Sequence, residues 1–318
     1  MYKDILIIGK KPTPIGGVTI YVKRLLELLE SSDFNYSFYD LKSFSLSTFI
    51  KAISNSFISH LHTSSPCLRV IYSLLCHFLG KKSIITYHGN LGRFNKFLNA
   101  LDFLSVKWCT YPIVLNEQSF VIAKKLNSNA KIMSVYISPI DGEVLDIRLK
   151  NQLIQFRSKY CFIVATNAYN YSVDSYGNEI YGITDLINFF GENNEYGFVV
   201  SDPSGNYAKR FPVLSSNIFV IDYPHPFQKV LDYVDCFIRY TSTDGDSISI
   251  YEALEHGVPV LATDVVSRPQ GVHLIRRGDI DALKHEIELL VKRVHNSVNQ
   301  KRKYPKNLIL NFYQQILK

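Results

Sequence analysis

Short apolar runs alternate along this chain with longer segments in which apolar residues recur at helical spacing. The run at 4–9 suits a buried strand, and residues 18–30 place apolar side chains three and four positions apart. The predicted strands are Asp4–Gly9, Phe57–His62, Ser83–Tyr87, Pro112–Leu115, Lys131–Val135, Tyr160–Ala165, Tyr196–Val200, Ile218–Asp222, Cys236–Tyr240 and Val258–Ala262. The predicted helices lie near Val18–Glu30, Leu68–Leu79, Gln118–Leu126, Tyr181–Phe190, Pro226–Tyr233, Ser247–His256, Asp281–His295 and Asn307–Leu317.

Strands that alternate with helices predict an α/β fold with parallel, doubly wound sheets. The alternation runs through both halves, so we predict two Rossmann-like domains that face each other across a cleft, with the strand ends pointing into it. The N-terminal domain is placed at 1–140 and the C-terminal domain at 141–304. The last helix has no evident partner in its own half, so we expect residues 305–318 to cross back to the first domain.

The composition fits a cytoplasmic globular protein. Hydrophobic residues make up 47% of the 318 positions, which favours packed cores over disorder. No apolar run reaches the length of a membrane span, and the first strand is too short for a secretion signal. The five cysteines are scattered without a Cys-x-x-Cys pair, so neither a disulfide framework nor a zinc knuckle is indicated.

The excess of positive over negative charge is confined to the first half of the chain. Residues 1–150 hold 18 Lys and Arg against 10 Asp and Glu, whereas residues 151–318 hold 17 against 18. Such asymmetry suggests that the first half meets an anionic surface, and no nucleic-acid-binding module is visible. The helical segments 68–79 and 94–108 mix basic and apolar residues, as a face that docks on anionic lipid would. Two core-packing helices with solvated rims are the alternative, and the charge balance favours peripheral contact with a membrane.

The most informative segment is 243–260, which reads as a turn, a short helix, a glycine stop and a buried strand. Asp244 precedes the helix and Glu252 lies inside it, so both carboxylates can face one cleft at the helix start. The unpaired N–H groups and partial positive charge of a helix start suit a phosphate. Two acceptors beside a phosphate suit the hydroxyls of a nucleotide sugar. The alternative is an ordinary surface helix with solvated acids.

Three segments together resemble glycosyltransferase family 4. They are Gly16-Gly17-Val18 after the first strand, Tyr87-His88-Gly89 after an internal strand, and the Asp244–Glu252 block followed by Gly257-Val258-Pro259-Val260. The resemblance runs in order through nearly the whole chain, and the C-terminal block is its most specific part. It implies a two-domain GT-B fold and transfer of a sugar from a nucleotide-diphosphate donor with retention at the anomeric carbon. It also implies no cofactor and, in general, no metal.

The resemblance implies roles for three side chains. Glu252 matches the acid that binds the donor ribose hydroxyls. Asp244 matches the acid that approaches the transferred sugar, where the family usually has Glu. His88 matches a histidine that contacts the donor sugar.

Backbone groups are implied as well. The N–H groups of Ser247 and Ile248 match the seat of the diphosphate, and Gly16 and Gly17 match the loop that closes over the phosphates. With Glu252, these residues make up the predicted donor-binding set.

One departure concerns the Arg and Lys that hold the diphosphate in the family. Residues 165–182 contain neither, and Tyr181 stands where the Lys is expected. The candidate substitutes are Arg239, at the end of a predicted strand, and Arg268, after Val265-Val266-Ser267. A guanidinium suits this role because it donates two parallel hydrogen bonds to a diphosphate. The predicted catalytic set is Asp244, His88, Arg239 and Arg268, with the arginines stabilising the leaving group and the other two orienting the sugar.

Two metal sites are conceivable. Asp244-Gly245-Asp246 could hold a divalent ion with a diphosphate, and His60 with His62, on one side of a strand, could hold a metal. We favour a turn with a helix cap and structural histidines. The prediction is thus a metal-independent hexosyltransferase that moves a sugar from a nucleotide-sugar donor to a lipid-linked or growing surface-polysaccharide acceptor. The rivals are a GT-B nucleotide-sugar epimerase and a non-catalytic sugar-nucleotide-binding relative that partners a transferase.

Overall fold

The computed structural model describes residues 4–139, 142–174, 176–294 and 308–318. These residues form two compact units. Residues up to Pro139 together with those from Leu308 onward make up the N-terminal domain, and residues 142–294 make up the C-terminal domain. The predicted boundaries after residues 140 and 304, and the predicted helix ends His295 and Asn307, lie outside the described residues.

The N-terminal domain contains a six-stranded parallel sheet in the order β2-β1-β3-β4-β5-β6. Its strands are β1 (Ile5–Gly9), β2 (Tyr36–Asp40), β3 (Ile58–His62), β4 (Lys82–Thr86), β5 (Tyr111–Val114) and β6 (Lys131–Ile132). Its helices are α1 (Gly17–Glu30), α2 (Leu46–Asn55), α3 (Pro66–Phe78), α4 (Lys96–Trp108) and α5 (Glu117–Leu126), with the C-terminal helix (Leu308–Leu317). A short 3₁₀ helix spans Leu41–Ser43.

The C-terminal domain contains a second parallel sheet of six strands, in the order β12-β11-β10-β7-β8-β9. Its strands are β7 (Ile163–Asn167), β8 (Gly197–Ser201), β9 (Ile218–Ile221), β10 (Cys236–Arg239), β11 (Val260–Thr263) and β12 (Val272–Ile275). Its helices are α6 (Ile147–Arg157), α7 (Ile183–Glu192), α8 (Asn206–Arg210), α9 (Phe227–Val230), α10 (Ile248–His256) and α11 (Ile280–Val294), with a 3₁₀ turn at Leu231–Tyr233.

Each sheet is covered by helices on both faces. In the C-terminal domain, Phe190 of α7 and Leu283 of α11 join one buried cluster, whereas Leu153 of α6 and Leu254 of α10 join another. A strand buried on both faces needs a continuous apolar run, and β1 meets that need with five buried residues. The predicted fold class, two doubly wound Rossmann-like units, is confirmed. No helix of the described ranges is long and apolar enough to cross a bilayer.

The strand orders create one topological switch point in each sheet. The chain goes from β1 to β2 on one side and then returns to place β3 on the other. In the second sheet β8 and β9 extend one side of β7 before β10 is added on the opposite side. Ligands of open α/β sheets bind outside the carboxyl ends of the strands at such switch points. Functional residues are therefore expected at the carboxyl ends of β1 and β3 in one sheet and of β7 and β10 in the other.

Several elements were not predicted from the sequence. They are the strands β2 and β12 and the helices α2, α6 and α8. Both missed strands lie at sheet edges and are only partly buried, so their sequences lack the apolar run of a central strand. The C-terminal helix belongs to the N-terminal domain, where its Tyr313 lies 2.6 Å from Nδ1 of His60 on β3.

Candidate active site

The candidate site of the C-terminal domain lies at the carboxyl ends of β7 and β10. Asn167 ends β7 and Arg239 ends β10, and these strands are neighbours at the switch point. Nη1 of Arg239 donates to the backbone oxygen and the Oδ1 atom of Asn167 over 3.3 and 3.4 Å. The hydroxyl of Ser249 on α10 donates to the same Oδ1 over 3.1 Å. One asparagine thus connects two strands and the start of a helix.

Asp244 lies between two arginines. Nε and Nη2 of Arg239 each donate to one carboxylate oxygen over 3.0 Å, and Nη1 of Arg268 donates over 2.8 Å. The N–H of Gly245 supplies a further hydrogen bond of 3.0 Å. Burial alone would raise the pKa of Asp244, but the charges and hydrogen bonds of both arginines lower it to about 2. The carboxylate is therefore ionised and engaged at both oxygens.

The two arginines differ in what they leave accessible. The side chain of Arg268 is 2% exposed, and its Nε and Nη2 atoms donate to the Thr263 carbonyl and the Thr241 hydroxyl over 3.1 and 3.3 Å. The side chain of Arg239 is 12% exposed. Arg268 is thus committed to holding Asp244, whereas Arg239 keeps an accessible edge.

Helix α10 begins beside this cluster without a side-chain cap. Ser247 is its N-cap residue, and the Ser247 hydroxyl lies 3.1 Å from that of Ser249 instead of bonding a backbone N–H of the helix start. Ile248 is the first helical residue, and Glu252 lies one turn later as a buried side chain. Gly257 ends the helix with φ of 75°, as its sequence position predicted. An uncapped start offers backbone N–H donors to an anion.

Tyr181 supports the exposed arginine. The guanidinium carbon of Arg239 lies 5.0 Å from the centroid of the Tyr181 ring, within the range of a cation–π contact. Burial raises the pKa of Tyr181 to about 12, so its phenol is neutral at physiological pH. The next residue, Gly182, has φ of 62°, and a Cβ there would lie 2.6 Å from the carbonyl oxygen of Tyr240. Only glycine fits this turn without strain.

In the N-terminal domain, the predicted glycine pair forms the start of α1. Gly16 is the N-cap residue and Gly17 the first residue of the helix. The Thr19 hydroxyl accepts from the N–H of Gly16 over 3.0 Å and donates toward the carbonyls of Pro14 and Gly16. A Cβ on Gly17 would meet no heavy atom within 4 Å, so the space above this helix start is open.

In the same domain, His88 lies just past the carboxyl end of β4, next to two histidines of β3. Its Nε2 atom is 3.1 Å from Nδ1 of His62, and the rings of His62 and His60 have centroids 4.0 Å apart. Nδ1 and Nε2 of His60 lie 2.6 Å from the Tyr313 hydroxyl and 2.8 Å from the Thr86 hydroxyl. Burial, followed by the charges of neighbours, lowers the pKa of His88 well below its usual value. We refer to His60, His62 and His88 as the histidine row.

The histidine row is not arranged as a metal site. Both ring nitrogens of His60 already have protein partners. Across the described ranges, no group of three His, Cys, Asp or Glu side chains is placed to hold a metal ion. Metal independence itself stays a prediction.

The structure therefore gathers the predicted residues into two groups. Asp244, Arg239 and Arg268 meet at the start of α10 in the C-terminal domain, and His88 lies near the strand ends of the N-terminal domain. Sequence reasoning missed Asn167 and His62 as neighbours of these groups. The predicted strand at 160–165 ended two residues before Asn167. A polar residue directly after a buried run was the signal that could have found it.

No protein-family model and no curated protein matches this chain. Among solved structures it is similar to Anabaena HepE in complex with UDP, with a TM-score of 0.70, 13% identity, and 99% of this chain and 98% of that one covered. It is also similar to sucrose-phosphate synthase from Thermosynechococcus elongatus, with a TM-score of 0.68, 12% identity and 99% of both chains covered.

A third similar structure is a putative UDP-N-acetylglucosamine 2-epimerase from Listeria monocytogenes, with a TM-score of 0.57 and 12% identity over 100% of this chain and 97% of that one. These likenesses establish the two-domain GT-B fold. A synthase and a putative epimerase occur among them, so the fold alone does not select a reaction.

Proposed function

We propose that this protein is a retaining glycosyltransferase that uses a nucleotide-diphosphate sugar as donor. The observation that carries the proposal is the ion cluster of Asp244, Arg239 and Arg268 beside the uncapped start of α10. It lies at a switch point of a parallel sheet, the position at which open α/β sheets bind ligands. Its two guanidinium groups and one carboxylate leave one positive charge, which suits a diphosphate.

The charge of the cluster suits the difficult step of the reaction. As the bond between the anomeric carbon and the diphosphate breaks, negative charge grows on the leaving oxygens and positive charge on the sugar ring. Fixed donors aimed at those oxygens stabilise the transition state more than the ground state. In this proposal Arg239 and the N–H groups of Ser247 and Ile248 are those donors, while Arg268 holds Asp244 and, through it, Arg239.

Retention follows without a carboxylate nucleophile. Asp244 is engaged by two arginines, which makes its oxygens poor nucleophiles. The acceptor oxygen bonds to the anomeric carbon on the face that the diphosphate leaves, and the acceptor proton passes to a leaving phosphate oxygen. In this scheme Glu252 binds the ribose hydroxyls and His88 contacts the donor sugar. The loop that contains Gly16 and Gly17 closes over the phosphates.

The first experiment is a thermal-shift screen against uridine, adenosine and guanosine diphosphate sugars. A donor at about 100 times its dissociation constant stabilises the fold by about 2.7 kcal/mol. Transfer is then assayed with Arg239→Ala, which should lose on the order of 100-fold in kcat, as expected for one oxyanion donor. His285→Leu, an exposed residue of α11, is the control. A loss below threefold for Arg239→Ala contradicts the assignment.

The same assay separates the rival functions. Conversion of the donor without an acceptor indicates an epimerase, the activity named for one similar structure. Donor binding without conversion or transfer indicates a non-catalytic binding protein. Transfer that survives chelation by EDTA is expected of a metal-independent enzyme, and loss that magnesium restores contradicts it.

We further propose a lipid-linked or growing surface-polysaccharide acceptor, reached from an anionic membrane surface. Helices α3 and α4 pack together, and Phe78 and Phe97 on them are 80% and 70% exposed. Residues 51–100 contain six Lys and Arg and no Asp or Glu. Arg69 among them is buried against Asp102, and the other five give this part of the chain a positive charge that complements anionic headgroups. Vesicles with phosphatidylglycerol should carry the protein in flotation at low salt. Phe78→Ser with Phe97→Ser should abolish this, and flotation unaffected by the double variant contradicts the proposal.

A further inference from the structure

His62 is buried and yet one of its ring nitrogens has no partner. Its side chain lies at the end of β3 with almost no exposure, and Nε2 makes no hydrogen bond to a described residue. The other nitrogen, Nδ1, lies 3.1 Å from Nε2 of His88. Buried polar atoms are satisfied in the great majority of cases, so an exception calls for an explanation.

Each ring of the histidine row is neutral and therefore carries one proton. Burial lowers the pKa of His62 to about 3, and burial together with neighbouring charges lowers the pKa of His60 and His88 well below the usual value. A neutral imidazole has one N–H donor and one acceptor nitrogen. In the hydrogen bond between His62 and His88, one nitrogen must be the donor and the other the acceptor.

The unpaired nitrogen of His62 decides which ring donates. A buried N–H without an acceptor is rarer in proteins than an acceptor without a donor. The proton of His62 therefore belongs on Nδ1, which leaves Nε2 as the bare atom. His62 then donates to Nε2 of His88, and the single proton of His88 must lie on Nδ1.

The surroundings hold His62 in this position. Its ring lies against His60, with centroids 4.0 Å apart, and His60 is fixed by the hydroxyls of Tyr313 and Thr86. On the other side, Tyr21 of α1 has its ring centroid 5.0 Å from that of His62 and 5.4 Å from that of His88. The C-terminal helix thus reaches His88 through Tyr313, His60 and His62.

We propose that His62 is a positioning residue, which fixes the ring and the tautomer of His88 so that Nδ1–H of His88 donates a hydrogen bond to the sugar nucleotide. The proposal depends on the proposed function only for the identity of the ligand. The tautomer of His88 is a property of the protein alone, so it can be tested without any activity.

The deciding measurement is nitrogen NMR of the full chain labelled with ¹⁵N-histidine. Long-range proton–nitrogen spectra distinguish the two neutral tautomers and the charged ring, and His88→Gln assigns the His88 signals. We expect the proton of His88 on Nδ1 in the wild type. A proton on Nε2 of His88, or a charged His88, overturns the proposal regardless of whether the protein transfers sugar.

Two substitutions separate positioning from mere folding. His62→Asn retains an N–H near the place of Nδ1 and should preserve the His88 tautomer. His62→Leu removes the donor, so the His88 proton should no longer be confined to Nδ1. If His62→Leu does not fold, the wild-type and His62→Asn spectra still decide. An unchanged His88 tautomer in folded His62→Leu overturns the proposal.

Ligand binding supplies a second test of the proposal. A sugar nucleotide that stabilises the wild type should shift the Nδ1 proton resonance of His88, and a bound ligand that leaves it unmoved overturns the contact. In the transfer assay, His62→Leu should lose about tenfold in kcat/KM, a cost of about 1.4 kcal/mol. His62→Asn should recover most of it and His285→Leu should lose nothing. Equal losses in His62→Asn and His62→Leu contradict positioning through the hydrogen bond.

Discussion

Asp244→Asn removes the one negative charge between two buried guanidinium groups. The pKa of Asp244 is lowered from its ordinary value of 3.8 to about 2, and each tenfold change in proton affinity is worth about 1.4 kcal/mol. The ion pairs therefore contribute about 2 kcal/mol through proton linkage. Because substitution also leaves buried cations without a counter-ion, the total cost should reach about 3–5 kcal/mol.

Hydrogen exchange of β10 and β11 is the suitable assay, since a chain of two domains need not unfold in one step. The free energy of the opening that exposes these amides should be about 3–5 kcal/mol lower in Asp244→Asn. The amides should therefore exchange faster than in the wild type. Asp264→Asn is the matched control, because Asp264 is exposed and a surface substitution changes stability by about 0.5 kcal/mol or less.

The pH dependence checks the electrostatic origin of the loss. The pKa of Asp244 is lower in the folded state, so its contribution is complete above about pH 4 and is lost as the pH falls toward 2. The difference between wild type and Asp244→Asn should therefore narrow over that interval. A variant as stable as the control, or a difference that does not change with pH, would refute the reasoning.

The remaining predictions concern packing. Gly182→Ala should destabilise the C-terminal domain, because the added Cβ would lie 2.6 Å from a carbonyl oxygen at φ of 62°; its melting temperature should fall, whereas that of Gly17→Ala, which meets open space, should not. Asp102→Asn should cost about 3–5 kcal/mol in the N-terminal domain, because Asp102 pairs with fully buried Arg69 at 2.8 Å. Exchange of β4 amides reports that loss, and unchanged exchange contradicts it.

The arrangement of the candidate site could be predicted from the sequence only where its signals were local. Gly257 and the apolar run after it defined the end of α10, and the position of Asp244 before the helix followed from the same segment. The direction of the arginine side chains had no local signal. Arg239 and Arg268 lie five and 24 residues from Asp244, and both donate to it, a contact that only the assembled sheet creates.

The histidine row shows the same limit. The alternation of a strand predicts that His60 and His62 share a face, and their rings are indeed in contact. The partner of His60 is Tyr313, which is 253 residues away. Sequence spacing carries no information on such a contact, and so the link between these histidines and the C-terminal helix could not be derived.

Tyr181 stands where the resemblance leads one to expect a lysine, and it packs against Arg239, the proposed substitute for that lysine. Its ring supports the guanidinium at 5.0 Å. A lysine there would place a third cation beside Arg239 and Arg268, with one carboxylate among them. Two unit charges about 5 Å apart repel by about 3 kcal/mol at an effective dielectric constant of about 20. Tyr181 therefore suits a site in which Arg239 is the cation, because its ring supports the guanidinium without adding a further positive charge.

Tyr181→Lys should consequently weaken binding of the donor instead of restoring a family-like site. Tyr181→Phe is the matched control, because it keeps the ring and removes the hydroxyl alone. Donor affinity, measured by calorimetry at constant ionic strength, should fall at least tenfold in Tyr181→Lys and change little in Tyr181→Phe. Tighter donor binding by Tyr181→Lys would mean that a lysine can hold the diphosphate here and that Arg239 is not its substitute.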